Sequence, residues 1–292
     1  MNNPQIHVVA PAKINLFLDI TGVRDDGYHT LDMVMQTVTL ADEVRIKDGE
    51  QGINLTCSRK ELSTGPDNLV YKAAMAFCEY AGIEPSLDIH LTKSIPSQAG
   101  MGGGSSDAAA VLRGLNEFYA AYYPTSKLVD IGVSVGADVP FFLSGGTALV
   151  TGIGETVKPV SPLADCFIVI AKPNEGICTK EAYSRFDSSD KNFPHNNIDT
   201  IKKALETNNL KQTAGSMYNT FEYLHNLQSV NSILERMKEY GALGQLMSGS
   251  GSACFAIFDN KAAAKRCYRH LQQISHSVFI CRPCRHGALV LI

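Results

Sequence analysis

The clearest pattern in the chain is the alternation of polar and apolar residues from Lys13 to Ile20. Apolar residues recur at positions 14, 16, 18 and 20, which is the period of a β-strand. Lys13 and Asn15 then share the opposite face of that strand. Taken alone, two polar residues on one face favour the solvent side of a sheet edge. The residues from His7 to Ala10 predict a separate opening strand that ends at Pro11.

Strands and helices follow along the whole chain, which predicts a mixed α/β (α+β) fold. The further strands are predicted at 31–38, 43–46, 87–91, 147–150, 167–171, 243–247, 253–258 and 277–281. The helices are predicted at 67–81, 108–117, 128–135, 179–186, 197–207, 210–225, 228–240 and 260–273. The character of the sequence changes near 155–165, where Pro159 and Pro162 precede a new strand. We therefore expect two domains, 1–158 and 159–292.

Composition and charge narrow the class of protein. The chain has 292 residues, of which 45% are hydrophobic and 19% charged, as in a globular protein with a sizeable core. A net charge of −3 with scattered Lys and Arg gives no basic footprint for nucleic acid. No apolar run approaches the ~18 residues that a membrane span needs, and the first residues lack the pattern of a signal peptide. We therefore expect a cytoplasmic protein that binds neither nucleic acid nor membranes.

Eight cysteines are spread through the chain, which favours reduced thiols over a disulfide framework. Cys281 and Cys284, with His286 nearby, resemble half of a zinc site. A structural zinc usually takes four protein ligands, and no second pair stands at a suitable spacing. These cysteines are therefore interpreted as core or surface thiols.

The glycine-rich stretch from Gly100 to Ser106 is the strongest candidate for chemistry. Its glycines allow a ligand to approach the backbone closely, and Ser105, Ser106 and Asp107 are helix-starting residues. A helix that begins here directs unpaired N–H groups and the positive end of its dipole at an anion, most commonly a phosphate. The two serine hydroxyls could also hold a phosphate-bound Mg²⁺. The loop lacks the lysine of GxxxxGK[ST], and no G-x-G-x-x-G follows a strand.

Three other features allow two interpretations when each is taken alone. The loop from Ser248 to Gly251 favours a hairpin turn. Tyr28 and His29 leave a glycine turn, where they could bind a base or cover the sheet. Asp138 precedes an apolar run, which favours a helix cap over a catalyst.

Taken together, the motifs are more informative. The segment PAKINL from Pro11 to Leu16, the GGGSS loop and the late Ser248–Gly251 loop resemble the three motifs of the GHMP kinases, in the same order. Within that family, the segments 11–38, 100–116 and 136–142 look like those of members that phosphorylate a cytidine diphosphate-linked sugar alcohol. Ser97 and Gln98 depart from the pattern, since Met-Gly is common there. The resemblance implies two α/β domains, an N-terminal ATP-binding domain and a C-terminal ferredoxin-like domain, with the active site in the cleft between them.

The resemblance also implies roles for individual residues. Asp138 corresponds to the catalytic base, and Lys13 lies beside it and the transferring phosphate. Asn15 and the pair Tyr28 and His29 correspond to substrate-binding positions, with Tyr183 on the other face of the cytosine ring. Asn68 is expected near the adenine of ATP. The remaining ATP-binding positions form the phosphate loop: Pro96, Ser97, Gln98, Ala99, Gly100, Met101, Gly102, Gly103, Gly104, Ser105 and Ser106.

The expected cofactors are ATP and the Mg²⁺ that it carries, touched by Ser105 or Ser106. The expected partner is a small-molecule substrate, and the protein is a monomer or a homodimer. One alternative is another GHMP kinase, acting on mevalonate, homoserine or a sugar; the turn with Tyr28 and His29 argues against it. A second alternative is a nucleotide-binding regulator without turnover, which the presence of Lys13 and Asp138 disfavours.

Overall fold

The computed structural model describes residues 5–189 and 193–291. The strands of this part of the chain are β1 Gln5–Val23, β2 His29–Asp48, β3 Gly52–Cys57, β4 Ser86–Thr92, β5 Thr147–Gly152, β6 Thr156–Pro159, β7 Phe167–Lys172, β8 Tyr218–Asn219, β9 Gly244–Met247, β10 Cys254–Phe258, β11 Ser277–Cys281 and β12 Leu289–Leu291. The helices are α1 Leu69–Ala81, α2 Gly103–Phe118, α3 Thr125–Val135, α4 Val139–Ser144, α5 Thr179–Asp187, α6 Ile198–Glu206, α7 Leu210–Gly215, α8 Gln228–Glu239 and α9 Lys261–Leu271.

A long hairpin of β1 and β2 forms the centre of the first sheet. The predicted end of a strand at Pro11 is wrong, because β1 continues through it. The register between the strands shifts between Pro11 and Ala12, so β2 has extra residues opposite this point. Such an irregularity accommodates a proline, which has no N–H to donate. The segments 31–38 and 43–46, which were predicted as two strands, are the two ends of one strand, β2, on either side of this irregularity.

The first sheet has the order β12-β1-β2-β4-β3, with β5 and β8 pairing to β2 and β1, and β6 pairing to β5. The helix α2 crosses this sheet, and Gly114 allows a close approach, since a Cβ there would lie 2.6 Å from Ile46. The buried stretch from Ala108 to Leu112 fills the core beneath it. This packing fixes the N-terminal end of α2 above the middle of β1.

The second sheet is antiparallel, with the order β11-β7-β10-β9. Helices precede β9 and separate β10 from β11, which is the ferredoxin-like β-α-β-β-α-β arrangement. The strands β8 and β12, from the expected domain 159–292, join the first sheet. The boundary at 158/159 stays a prediction.

Local signals predicted some elements well and missed others. The helix α1 begins after Asn68, whose side chain accepts a hydrogen bond from the N–H of Val70 at 2.8 Å. The helix predicted at 210–225 is wrong: α7 ends at Gly215, and Tyr218 and Asn219 pair with β1 instead. The elements β3, α4, β6 and β12 were not predicted. Among the described residues, no helix combines the length and the apolar character needed to cross a bilayer.

Candidate active site

A cavity of about 950 Å³ lies between the first sheet and α5, and it is lined by every predicted site residue except Ser106. Residues of β1 form its floor, the loop before α2 forms one wall, and one face of α5 along its whole length, with the loop between β9 and β10, forms the other. The predicted site is therefore one continuous space. Its residues come from both halves of the chain.

The wall at the end of α2 is the glycine-rich loop. Gly100 and Gly102 both have a φ of +68°, a conformation in which a side chain is strained. A Cβ at Gly102 would lie 2.6 Å from the ring of Phe142, and one at Gly100 would collide with the carbonyl oxygen of Ser248. The helix begins at Gly103, five residues before the predicted start at 108. The unpaired N–H groups of its first turn lie at the cavity, which suits a phosphate.

The second glycine-serine loop supports the first. It connects β9 to β10, so the hairpin prediction is confirmed. The hydroxyl of Ser248 also donates a hydrogen bond to the carbonyl oxygen of Gly100 at 3.1 Å and accepts one from the N–H of Asn15 at 3.4 Å. The N–H of Lys13 donates to the carbonyl oxygen of Met101 at 3.1 Å. The three motifs that stand far apart in the sequence thus hold one another in place.

We expect Gly100→Ala to weaken both stability and nucleotide binding. A side chain here meets the left-handed penalty of about 1–2 kcal/mol and an overpacking cost of about 1–3 kcal/mol against Ser248. Gly82→Ala is the matched control, because Gly82 has a φ of +67° and open space around its Cβ position. Denaturant unfolding and the KM for ATP are the measurements. Equal effects of the two substitutions would contradict the close contact.

Lys13 and Asn15 lie on the floor of the cavity. Their exposed fractions are 4% and 0%, so placing them on the solvent side of a sheet edge is wrong. The strand β1 is central, and the Ser248 loop covers it. The ammonium group of Lys13 donates a hydrogen bond to the side-chain oxygen of Asn15. Burial lowers the pKa of Lys13, and the negative charge of Asp138 opposes that shift.

Asp138 stands at the start of α4, half-buried on the cavity wall. Its side chain caps no backbone N–H of the helix, so the capping interpretation is wrong. Its charge acts on Lys13 and on the Tyr183 hydroxyl, whose pKa is raised by burial and further by this carboxylate. A carboxylate, an ammonium group and a hydroxyl therefore surround one part of the cavity.

Aromatic residues form a further part of the cavity lining. Tyr28 is 61% exposed at the end of a turn in which Gly27 has a φ of +83°. His29 stacks on Tyr183, with ring centroids 4.7 Å apart. The predicted pairing of Tyr28 and Tyr183 around a cytosine stays a prediction. Neither the stacking of His29 on Tyr183 nor the bond from His29 to Asp187 at 2.7 Å was predicted.

A buried charged cluster fixes the start of the glycine loop. The ammonium group of Lys93 contacts the carboxylates of Asp42 and Asp107, and its distance to Asp107 is 2.6 Å. The Asp42 carboxylate also accepts a hydrogen bond from the N–H of Ile95 at 2.8 Å. Burial raises the pKa of Asp107, the charge on Lys93 opposes this shift, and the charge on Asp42 adds to it. Sequence reasoning missed this cluster. It ties β2, the loop and the first turn of α2 together.

The two serine hydroxyls differ as ligands for a cation. Ser106 is buried and donates to the carbonyl oxygen of Pro11 at 2.7 Å, so it faces β1. Ser105 lines the cavity. No cluster of three His, Cys, Asp or Glu side chains suited to a metal ion is found in residues 5–189 and 193–291. A Mg²⁺ that keeps most of its ligands from the nucleotide and water fits Ser105 and does not fit Ser106.

Cys281 and Cys284 lie beside β2 in space, although they are distant from it in the sequence. Both are buried, and the N–H of Cys284 donates to the carbonyl oxygen of Thr37 at 2.8 Å. Burial raises the pKa of the Cys281 thiol to about 12. The segment that carries them therefore packs as part of the core, and their interpretation as thiols stays a prediction.

Comparison with known proteins gives matches over most of the chain. The GHMP kinases N terminal domain matches residues 68–146, and the GHMP kinases C terminal domain matches residues 191–275. A 4-diphosphocytidyl-2-C-methyl-D-erythritol kinase of Clostridium tetani is 41% identical over 275 residues, which are 94% of this chain and 98% of the relative. A kinase of the same name from Clostridium beijerinckii is 42% identical over 277 residues, which are 94% of this chain and 99% of the relative.

Solved structures agree with these matches. A crystal structure of 4-(cytidine 5'-diphospho)-2C-methyl-D-erythritol kinase superposes with a TM-score of 0.77 at 32% identity, over 95% of this chain and 98% of that one. A homoserine kinase from Cytophaga hutchinsonii superposes with a TM-score of 0.80 at 20% identity, over 100% of this chain and 98% of that one, which shows the fold alone. The expected two-domain α/β fold is confirmed. The chain belongs to the GHMP kinases and, within them, to the 4-diphosphocytidyl-2-C-methyl-D-erythritol kinase family.

Proposed function

We propose that this chain is an ATP-dependent kinase that phosphorylates the C2 hydroxyl of 4-diphosphocytidyl-2-C-methyl-D-erythritol, giving the 2-phosphate and ADP in the non-mevalonate isoprenoid pathway. The observation that carries the proposal is one cavity that joins an anion-binding loop, a Lys13 and Asp138 pair and a turn with two aromatic rings. The 41% identity over 94% of the chain to a kinase of that name supports the same substrate.

The donor end of the cavity would hold the phosphates of ATP. The N–H groups of the loop from Ser97 to Gly104 and the dipole of α2 act on the phosphate oxygens, where negative charge is concentrated. Magnesium carried by the nucleotide supplies further charge compensation. Ser105 is the residue of this chain placed to touch it. We assign Asn68 to the adenine; it lines the same cavity, and the next residue, Leu69, lies 3.4 Å from the Cβ position of Gly104.

Between the two ends, Asp138 and Lys13 would act on the reacting groups. Asp138 accepts the proton of the C2 hydroxyl, since its carboxylate is not used as a helix cap. Lys13 stabilises negative charge that develops on the transferring group, and its burial strengthens that interaction. Asn15 fixes the ammonium group through its side-chain oxygen and contributes to the substrate-binding floor.

The acceptor end would recognise the cytidine. Tyr28 is exposed at the cavity and can stack on a base, and His29 can form hydrogen bonds to its edge. The proposed roles of Tyr28, His29 and Tyr183 distinguish this substrate from smaller acceptors. The fold does not make that distinction, since a homoserine kinase shares it.

Selective stabilisation by the substrate tests the proposal. Thermal unfolding is measured with 4-diphosphocytidyl-2-C-methyl-D-erythritol, mevalonate or homoserine, each with a non-hydrolysable ATP analogue. We expect only the cytidine compound to raise the melting temperature, because a ligand that binds the folded state stabilises it. Stabilisation by mevalonate or homoserine instead would assign the chain to another branch of the GHMP kinases. The cytoplasmic location and the monomeric or homodimeric state stay predictions.

A further inference from the structure

Asp187 is a charged residue of the cavity that the proposed mechanism does not use. It is the last residue of α5, and its carboxylate contacts Nε2 of His29 at 2.7 Å. The residues are 158 positions apart in the chain. Within the described part of the chain, His29 is the ion-pair partner found for this carboxylate. Asp187 is 54% exposed, whereas the His29 side chain is 9% exposed.

Helix stability does not explain an aspartate at this position. The C-terminal end of a helix carries partial negative charge, so a carboxylate in the last turn is unfavourable there. The basic residue that suits this end of α5 is Arg185, which pairs with Glu181 one turn earlier. We therefore attribute the aspartate at position 187 to its contact with His29.

The contact determines which nitrogen of His29 carries the proton. An ionised carboxylate only accepts hydrogen bonds, so Nε2 must donate to Asp187. In the neutral ring, Nδ1 is then unprotonated and can accept a hydrogen bond. Stacking on Tyr183 at 4.7 Å and an edge contact with Phe186 at 5.5 Å hold the ring in this orientation. His29 lines the cavity, so we infer that its Nδ1 offers a bound ligand a fixed hydrogen-bond acceptor.

A fixed acceptor distinguishes the two pyrimidines. Cytosine has an amino group at C4, which donates, whereas uracil has a carbonyl oxygen there, which accepts. We propose that Asp187 is a positioning residue that makes the site select cytidine over uridine by holding His29 as an acceptor. This inference rests on the proposed function, because it assigns the base preference of the same substrate site.

The test compares Asp187→Asn with wild type on the cytidine substrate and on its uridine counterpart. An amide can donate to Nε2 as well as accept from it, so both tautomers of His29 become accessible. We expect the preference for cytidine to fall about tenfold, which is the effect of one lost charge-assisted hydrogen bond. The KM for the cytidine substrate should rise only about twofold, because about half of the His29 rings still present an acceptor. The kcat is expected to change little, since the reacting groups are untouched.

Two further variants separate positioning from a structural effect. Asp187→Glu keeps an acceptor and is expected to keep the cytidine preference. Glu181→Gln, on the same helix and outside the cavity, is the matched control and is expected to behave as wild type. If Asp187→Asn weakened both substrates equally, or if Asp187→Glu lost the preference as fully as Asp187→Asn, the inference would be wrong.

Nitrogen-15 NMR of the imidazole gives a readout that does not depend on turnover. Wild type should show His29 protonated on Nε2 and bare on Nδ1, and Asp187→Asn should show both forms. Protonation on Nδ1 in wild type would overturn the inference. If wild type does not phosphorylate the cytidine substrate, the proposed function fails separately. Binding of CMP against UMP, with the donor site filled by a non-hydrolysable ATP analogue, then still decides the base preference.

Discussion

Asp138→Asn is expected to lower kcat by about 10²–10⁴-fold, the usual contribution of a general base. The amide has the shape of the carboxylate and cannot take the proton of the acceptor hydroxyl. Because Asp138 caps no backbone group and is only half-buried, its replacement should leave the fold intact. Coupled ADP release gives the rate, and calorimetry with a non-hydrolysable ATP analogue gives the affinity.

The matched control for this prediction is Asp130→Asn on α3. Asp130 is exposed and forms an ion pair with Lys127 at 3.6 Å, a kind of contact that contributes little to stability. We expect its rate to equal that of wild type. The assignment of Asp138 would be contradicted if Asp138→Asn kept a kcat within about threefold of wild type. It would also be contradicted if the variant lost ATP affinity by the same factor as kcat.

Lys13→Met is expected to lower kcat by about 10²–10³-fold, as the loss of one preorganised electrostatic contact does. The variant should nevertheless unfold at the same or a higher temperature than wild type. A buried ammonium group is costly to desolvate, and a methionine of similar length fills the same space. We expect this gain to offset the loss of the donor to the buried side-chain oxygen of Asn15. Activity and stability would thus change in opposite directions, as expected of a residue kept for function.

The same variant has a pH signature. Burial lowers the pKa of Lys13 below its ordinary value of 10.5 in the folded state, against the opposing charge of Asp138. Between the folded and unfolded pKa values, the unfolded chain binds more protons, so the stability of wild type rises with pH. The methionine variant lacks this titration. Its advantage in melting temperature should therefore shrink as the pH rises towards 10.5.

The control for the lysine variant is Lys127→Met at the exposed surface, where neither rate nor pH dependence should change. A melting temperature of Lys13→Met well below that of wild type would show that Lys13 contributes mainly to stability. A rate within about threefold of wild type would remove it from the transfer step.

Elements with strong local signals could be predicted from the sequence. The alternation from Lys13 to Ile20 predicted a strand, and the apolar stripe after Asp67 and Asn68 predicted α1, which begins two residues later than the predicted start at 67. The helix predicted at 210–225 failed because tertiary pairing with β1 decided the conformation of Tyr218 and Asn219. The prediction that Lys13 and Asn15 are exposed to solvent failed for the same reason. Their burial depends on the loop at Ser248, whose hydroxyl contacts the N–H of Asn15 across 233 positions in the sequence.

The candidate site divides in a similar way. The glycine loop predicts an anion site, because the residue types that form such a site are adjacent in the sequence. Asp187 and Lys93 act through partners 158 and 51 positions away, and no local pattern marks such pairs. Asp138 required the resemblance to a family, because a lone aspartate before an apolar run is ambiguous. Local rules therefore find where phosphate binds, and the fold determines what surrounds it.

The central claim is that the cavity transfers phosphate to a cytidine diphosphate-linked alcohol. A coupled ADP-release assay with Mg²⁺ and ATP, run in parallel on 4-diphosphocytidyl-2-C-methyl-D-erythritol, mevalonate and homoserine, tests it most directly. Phosphorus NMR of the product locates the new phosphate. We expect ADP release with the cytidine compound alone and a phosphate at C2. ADP release with mevalonate or homoserine instead, or no turnover with any of the three, would contradict the claim.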